Sequence, residues 1–126
     1  MLCYQCEQAA HGEGCTKVGV CGKGYDTAEL HDLLIYTVKG LAQVAVEGRK
    51  VGVKDPETDR FVVESLFSTL TNTDYDNERF AGFIKQAVAH REDLKKKVGS
   101  AGGWSDFTSG AAAYMPPDTI EAMVKE

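Results

Sequence analysis

All four cysteines of this 126-residue chain stand within its first 21 residues: Cys3, Cys6, Cys15 and Cys21, in the pattern C-x2-C-x8-C-x5-C. A soluble chain usually scatters its cysteines as small buried hydrophobes, so a full complement crowded at one end points to a shared task. Disulfides, a zinc ion and an iron–sulfur cluster are the three tasks available. Disulfides need an oxidising compartment, and the first 20 residues, polar and broken by Gly12, Gly14 and Gly19, do not read as a secretory signal. A four-thiolate zinc site normally takes two short knuckles, and only Cys3 and Cys6 form one.

A cubane cluster suits the spacing better. Its irons each take one thiolate at a separate corner, so one tight C-x2-C turn plus two ligands reached by loops is workable. Gly12, Gly14, Gly19, Gly22 and Gly24 let the main chain come close enough for N–H groups to meet cluster sulfurs. The spacing matches neither the bacterial ferredoxin pattern nor the plant type.

The run Cys3-Tyr-Gln-Cys-Glu-Gln8, then Gly14-Cys15-Thr16, Val20-Cys21-Gly22-Lys23, Asp32-Leu-Leu-Ile-Tyr36 and Lys39-Gly-Leu41, strongly resembles the start of the hybrid-cluster proteins, also called prismane proteins or hydroxylamine reductases. The resemblance is specific over residues 1–48 and continues more weakly to about residue 98. It implies that Cys3, Cys6, Cys15 and Cys21 hold a [4Fe–4S] cluster. It also implies that an electron donor protein is a partner, and that the catalytic hybrid cluster sits in later domains of a longer chain. No cysteine follows Cys21, so the chain as it stands has no thiolates for a second cluster and is not expected to be catalytic alone. A structural zinc-binding helical interaction module is the alternative.

Length bounds the rest: 126 residues suffice for one domain that buries roughly two-thirds of its unfolded surface, so metal is not needed merely to staple the fold. A net charge of −5 argues against nucleic acid or an anionic membrane as partner. No apolar run is long enough to span a bilayer. Reduced thiols and no targeting segment point to the cytoplasm.

Residues 1–25 read as the cluster loop, 26–98 as a three-helix bundle, and 99–126 as a loop with a truncated terminal helix. Asp26 opens the first helix with Glu29 as capping-box partner, and Leu30, Leu33, Leu34, Val38, Leu41, Ala42 and Ala45 form its stripe. Gly48 and Gly52 stop it. Asp55-Pro56-Glu57 starts the second, with Phe61, Val62, Leu66, Phe67 and Leu70 as the buried face and Asn72-Thr73 as the end. The third starts at Thr73-Asp74 or Asp76, carries Phe80, Phe83, Ile84, Ala87, Val88, Leu94 and Val98, and is capped at Gly99. No stretch alternates with period two. The expected fold is therefore all-α, an up-down-up bundle behind a cysteine-rich loop. Trp104, Phe107 and Tyr114 read as anchors for the following loop, and the helix from Pro116-Pro117-Asp118 stops after barely two turns, as in a cut chain.

Other polar groups have ordinary readings. His11, inside the cysteine loop, could hydrogen-bond a sulfur or replace a ligand, but a solvent-facing histidine is the commoner case. His31 and His90 fall at core margins. Lys17 and Lys23 could raise a cluster's potential, although solvated lysines are more usual. Lys95, Lys96 and Lys97 read as a solvated helix end rather than a docking patch. Ile35 and Tyr36 read as ordinary core flank. Cys3-Tyr-Gln-Cys6 lacks the preceding strand of a thioredoxin-like dithiol, and no pocket can be argued around Glu7 or Glu13.

Overall fold

The computed structural model describes residues 1–70 and 73–126. The helices are α1 (Tyr25–Lys50), α2 (Pro56–Ser68), α3 (Asn77–Ser100) and α4 (Ile120–Lys125). Among the described residues there is no strand, only an isolated antiparallel bridge between Cys3 and Cys15. The all-α bundle expected from helical periodicity is the fold.

Contacts at the helix ends fix its direction. Thr27 Oγ1 donates to Asn77 Oδ1 at 2.7 Å, joining the starts of α1 and α3. Lys97 Nζ meets Asp55 at 3.1 Å, joining the end of α3 to the start of α2. Thus α1 and α3 run together and α2 runs back between their ends. Leu30, Leu34, Val38, Leu41 and Val44 of α1 face Phe80, Ile84, Ala87, Leu94 and Val98 of α3, with Phe61 of α2 and Met123 of α4 closing the core. No described helix is long and apolar enough to cross a membrane.

Several boundaries differ from the sequence expectation for local reasons. The N-cap of α1 is Gly24, without a side-chain cap, and Asp26 lies in the first turn. Glu29 is drawn instead to the Met1 ammonium at 3.3 Å, where a full charge outbids a backbone N–H. Gly48 and Gly99 are helical, and the left-handed residues are Gly52 (φ 79°) and Gly102 (φ 81°). In each case the next residue's N–H returns to the carbonyl four places before that glycine, Val53 to Gly48 and Gly103 to Val98, both at 2.9 Å. Those are Schellman ends. Asp55 and Asp76 cap α2 and α3 as expected, accepting from Thr58 N and Arg79 N.

The buried face of α2 is the largest correction. Thr58, Phe61, Ser65 and Ser68 point inward, while Leu66, Leu70 and Phe67 (62% exposed) point out. Ser65 Oγ donates to Phe61 O at 2.7 Å and Ser68 Oγ to Ser65 O at 2.6 Å. Hydroxyls that satisfy themselves on their own helix can be buried cheaply, so small residues let α2 sit close to the bundle. α2 ends at Ser68, earlier than expected, and Asn72 lies outside the described residues.

After α3 the chain crosses back over α1. Arg91 is fully buried and its Nη1 donates to Ala111 O at 3.1 Å and Tyr114 O at 2.7 Å. Gly40 of α1 gives that crossing its room: a Cβ there would lie 2.1 Å from Ala111 O. Phe107 and Tyr114 pack on the core as expected, but Trp104 is 61% exposed and anchors nothing. Tyr36 stacks edge-on with Tyr114, ring centroids 5.4 Å apart, away from the cysteine loop.

Candidate metal centre

The first 24 residues form a loop whose shape is set by main-chain bonds. Cys3 N donates to Cys15 O at 3.0 Å and Cys15 N to Cys3 O at 2.8 Å, which locks these two cysteines side by side. A single 3-10 turn at Ala10–Gly12 reverses the chain between them. His11 (φ 58°) and Gly12 (φ 70°) are both left-handed there. Further on, Gly19 N donates to Lys23 O at 2.7 Å and Gly22 N to Gly19 O at 2.8 Å, folding Cys21 back. A Cβ on Gly19 would stand 3.1 Å from Cys21 Sγ and 3.0 Å from Lys23 Cβ, so a larger residue would push against the cysteine.

All four thiols are free. Cys15 is 5% exposed, and Cys3, Cys6 and Cys21 are half-buried. Ala10 N–H donates to Cys15 Sγ at 3.4 Å, and Lys23 Nζ lies 3.7 Å from Cys3 Sγ. The Cys21 thiol is held below its ordinary pKa. Burial raises it, but the Tyr75 hydroxyl, the Lys23 backbone N–H and the Lys23 charge together outweigh that. Thiolate is the form that binds metal. Among the described residues no three His, Cys, Asp or Glu side chains gather closely enough to chelate one ion.

Lys23 is the residue that sequence reasoning placed wrongly. It is 1% exposed, not solvated, and its ammonium also donates to Gln5 Oε1 at 3.0 Å and Thr69 O at 3.4 Å. Gln5 Nε2 in turn donates to Thr69 Oγ1 at 3.2 Å. Tyr75 OH donates to Cys21 O at 3.2 Å. The cysteine loop is thus tied to the segment between α2 and α3. The position of Lys23 between Gly22 and Gly24 was the available signal, whereas nothing local marked Thr69 or Tyr75.

The remaining candidates separate clearly. His11, Lys17, Glu7 and Glu13 are exposed. His31 is not at a core margin but inside it, edge-on to Phe80 at 4.1 Å, with no hydrogen-bond partner for either ring nitrogen among the described residues. Burial and the Lys23 charge lower its pKa to about 4, against a weaker opposing pull from Asp74. His90 lies half-buried against Phe61.

The donor set fits an iron–sulfur group: four uncapped thiols on one loop, one N–H and one ammonium directed at sulfur, and a glycine where a side chain would crowd Cys21. A family model described as "Prismane/CO dehydrogenase family" matches residues 1–125. A hydroxylamine reductase of Syntrophobacter fumaroxidans is 56% identical over 126 residues, all of this chain and 23% of the relative. Those of Methanocella arvoryzae and Thermoanaerobacter pseudethanolicus are 48% and 45% identical, again over all of this chain and 23% of each relative. The chain spans about a quarter of the length of these relatives and corresponds to their N-terminal part.

Proposed function

The chain belongs to the Prismane/CO dehydrogenase family, and from that premise we propose that it is the iron–sulfur electron-transfer module of a longer hydroxylamine reductase-like protein. Cys3, Cys6, Cys15 and Cys21 would hold a [4Fe–4S] cluster, which supplies a one-electron couple when bound. A donor protein would deliver electrons to it, and reduction of hydroxylamine would take place at a centre in the other three-quarters of such a protein. In this division residues 1–25 bind, 26–98 mount the binding loop, and 99–126 complete the packing. The free thiols match a reducing cytoplasm.

The observation that carries this reading is the loop's supply of sulfur and hydrogen-bond donors together. Cys3 and Cys15 are fixed by their backbone pair, Ala10 N–H and Lys23 Nζ meet their sulfurs, and Cys21 is biased toward thiolate. Sulfurs around one zinc ion must lie within roughly 4 Å of each other, whereas a cubane's thiolates bind separate irons and stand further apart. The absence of a tight three-residue chelate among the described residues is in keeping with the second arrangement. Ala10 and Lys23 restrain sulfur orientation, and the bundle keeps water from the inner side.

Anaerobic reconstitution with iron and sulfide tests this. Visible charge-transfer absorption that dithionite bleaches, with an electron paramagnetic resonance signal on reduction, is the expected result, and Cys15→Ser should abolish both. A chain that takes up zinc stoichiometrically and gains no colour would overturn it.

A further inference from the structure

Lys23 is an ammonium sealed inside the protein without an ion-pair partner among the described residues. Its Nζ has three polar neighbours, Cys3 Sγ at 3.7 Å, Gln5 Oε1 at 3.0 Å and Thr69 O at 3.4 Å. Asp32 feels the charge without bonding it. Every other ammonium or guanidinium in an ion pair here has a carboxylate within 3.3 Å, including buried Arg91 with Glu92 at 2.9 Å. A buried charge costs several kcal/mol unless an opposite charge compensates it. Neutral amide and carbonyl oxygens orient the ammonium but do not neutralise it. Of the three neighbours, only the sulfur of Cys3 can carry negative charge.

The surrounding chain is built to keep the ammonium there. Lys23 O accepts from Gly19 N at 2.7 Å, and Gly19 has no room for a side chain because Lys23 Cβ and Cys21 Sγ stand beside it. Gln5, between two of the cysteines, fixes Nζ from one side, and Thr69 at the end of α2 fixes it from the other. The cysteine loop therefore wraps a cation that a solvated lysine would never need.

We infer that Lys23 is the internal counter-charge of the proposed centre: its ammonium, held by Gln5 and Thr69, compensates the net negative charge of four thiolates and their cluster. This deepens the proposed function and rests on it. A cluster ligated by four thiolates is anionic and gains a further negative charge when one electron enters. Lys23 stays protonated throughout and stabilises the reduced form more than the oxidised form, which raises the potential. It is a positioning residue, since it acts through the sulfurs.

The test compares Lys23→Met, Lys23→Gln and Lys23→Arg with the unaltered 126-residue chain, each reconstituted anaerobically. Iron and sulfide content, a dithionite titration followed by electron paramagnetic resonance, and far-ultraviolet circular dichroism are read for each. One unit charge a few ångströms away at an effective dielectric of ~20 is worth enough to change the reduction equilibrium tenfold or more. The reduced-to-oxidised ratio at a fixed potential should therefore fall by at least about tenfold in the Met and Gln variants. Arginine, which keeps the charge, should stay within roughly threefold of the unaltered chain. If the neutral variants fail to load while Arg loads and all remain helical, the counter-charge role stands. Equal potentials in all four chains, or failure of Arg together with Met and Gln, would overturn it and leave Lys23 as packing alone. Failure of the unaltered chain to take up a cluster would instead overturn the proposed function, and this inference with it.

Discussion

Gly40→Ala sets local preference against tertiary packing, and the two have opposite signs. Alanine in a helix interior is favoured over glycine by about 1 kcal/mol, so α1 considered alone predicts stabilisation. In the folded chain, however, the new methyl would lie 2.1 Å from Ala111 O, 2.5 Å from Ala111 C and 3.0 Å from Ala112 N. Ordinary contact requires those backbone atoms to retreat by roughly 1 Å. They cannot do so freely, because Arg91 Nη1 holds Ala111 O at 3.1 Å and Ala111 and Ala112 are buried. Overpacking costs about 1–3 kcal/mol, and a weakened bond to a buried guanidinium adds about 1.5–3. After the propensity gain, a net loss of about 2–4 kcal/mol is expected. Gly82→Ala in α3 is the control, since nothing stands within 4 Å of its Cβ position, and should gain about 0.5–1 kcal/mol. Urea unfolding followed by circular dichroism measures both. A Gly40→Ala chain as stable as the parent would refute the close approach of residues 111–112 to α1.

Three further outcomes follow from named contacts. Arg91→Met should cost about 3 kcal/mol by removing the bonds to Ala111 O and Tyr114 O; limited proteolysis should then cut first between residues 101 and 119, and the loss should combine non-additively with Gly40→Ala. His31 is held neutral by burial and by Lys23, with its folded pKa at about 4 against the ordinary 6.5. The unfolded chain therefore takes up the proton first, so stability is full above pH 6.5 and falls as pH drops toward 4. Replacing the ring by His31→Phe should flatten the urea midpoint between about pH 7 and pH 5. Tyr75→Phe should move alkylation of the metal-free Cys21 to higher pH, since the Tyr75 hydroxyl helps hold that thiol down; identical pH profiles by peptide mass mapping would exclude that role.

Much of this fold lies on the surface of the sequence. Asp55-Pro56 and Asp76 cap by short-range chemistry, and the stripes of α1 and α3 repeat at helical spacing, so both helices and the bundle could be read without coordinates. α2 could not, because its inward face is Thr58, Ser65 and Ser68, and hydroxyl residues that bond their own helix carry no hydrophobic signal. Arg91 sits at a stripe position between Ala87 and Leu94, where a charge contradicts the pattern until the carbonyls of Ala111 and Tyr114 are placed beside it. The cysteine pattern announced a metal site from spacing alone. What surrounds it did not, since the contacts of Lys23 with Thr69 and of Tyr75 with Cys21 span 46 and 54 positions and depend on how α2 returns to the loop.

Native mass spectrometry of the chain, purified and ionised without oxygen, tests the central claim most directly. A gain over the sequence mass equal to about four irons and four sulfides, lost on acidification, is the result that four cysteines sharing a [4Fe–4S] cluster predict. A gain equal to one zinc ion, or a loss of hydrogens from paired disulfides with no metal, would contradict it.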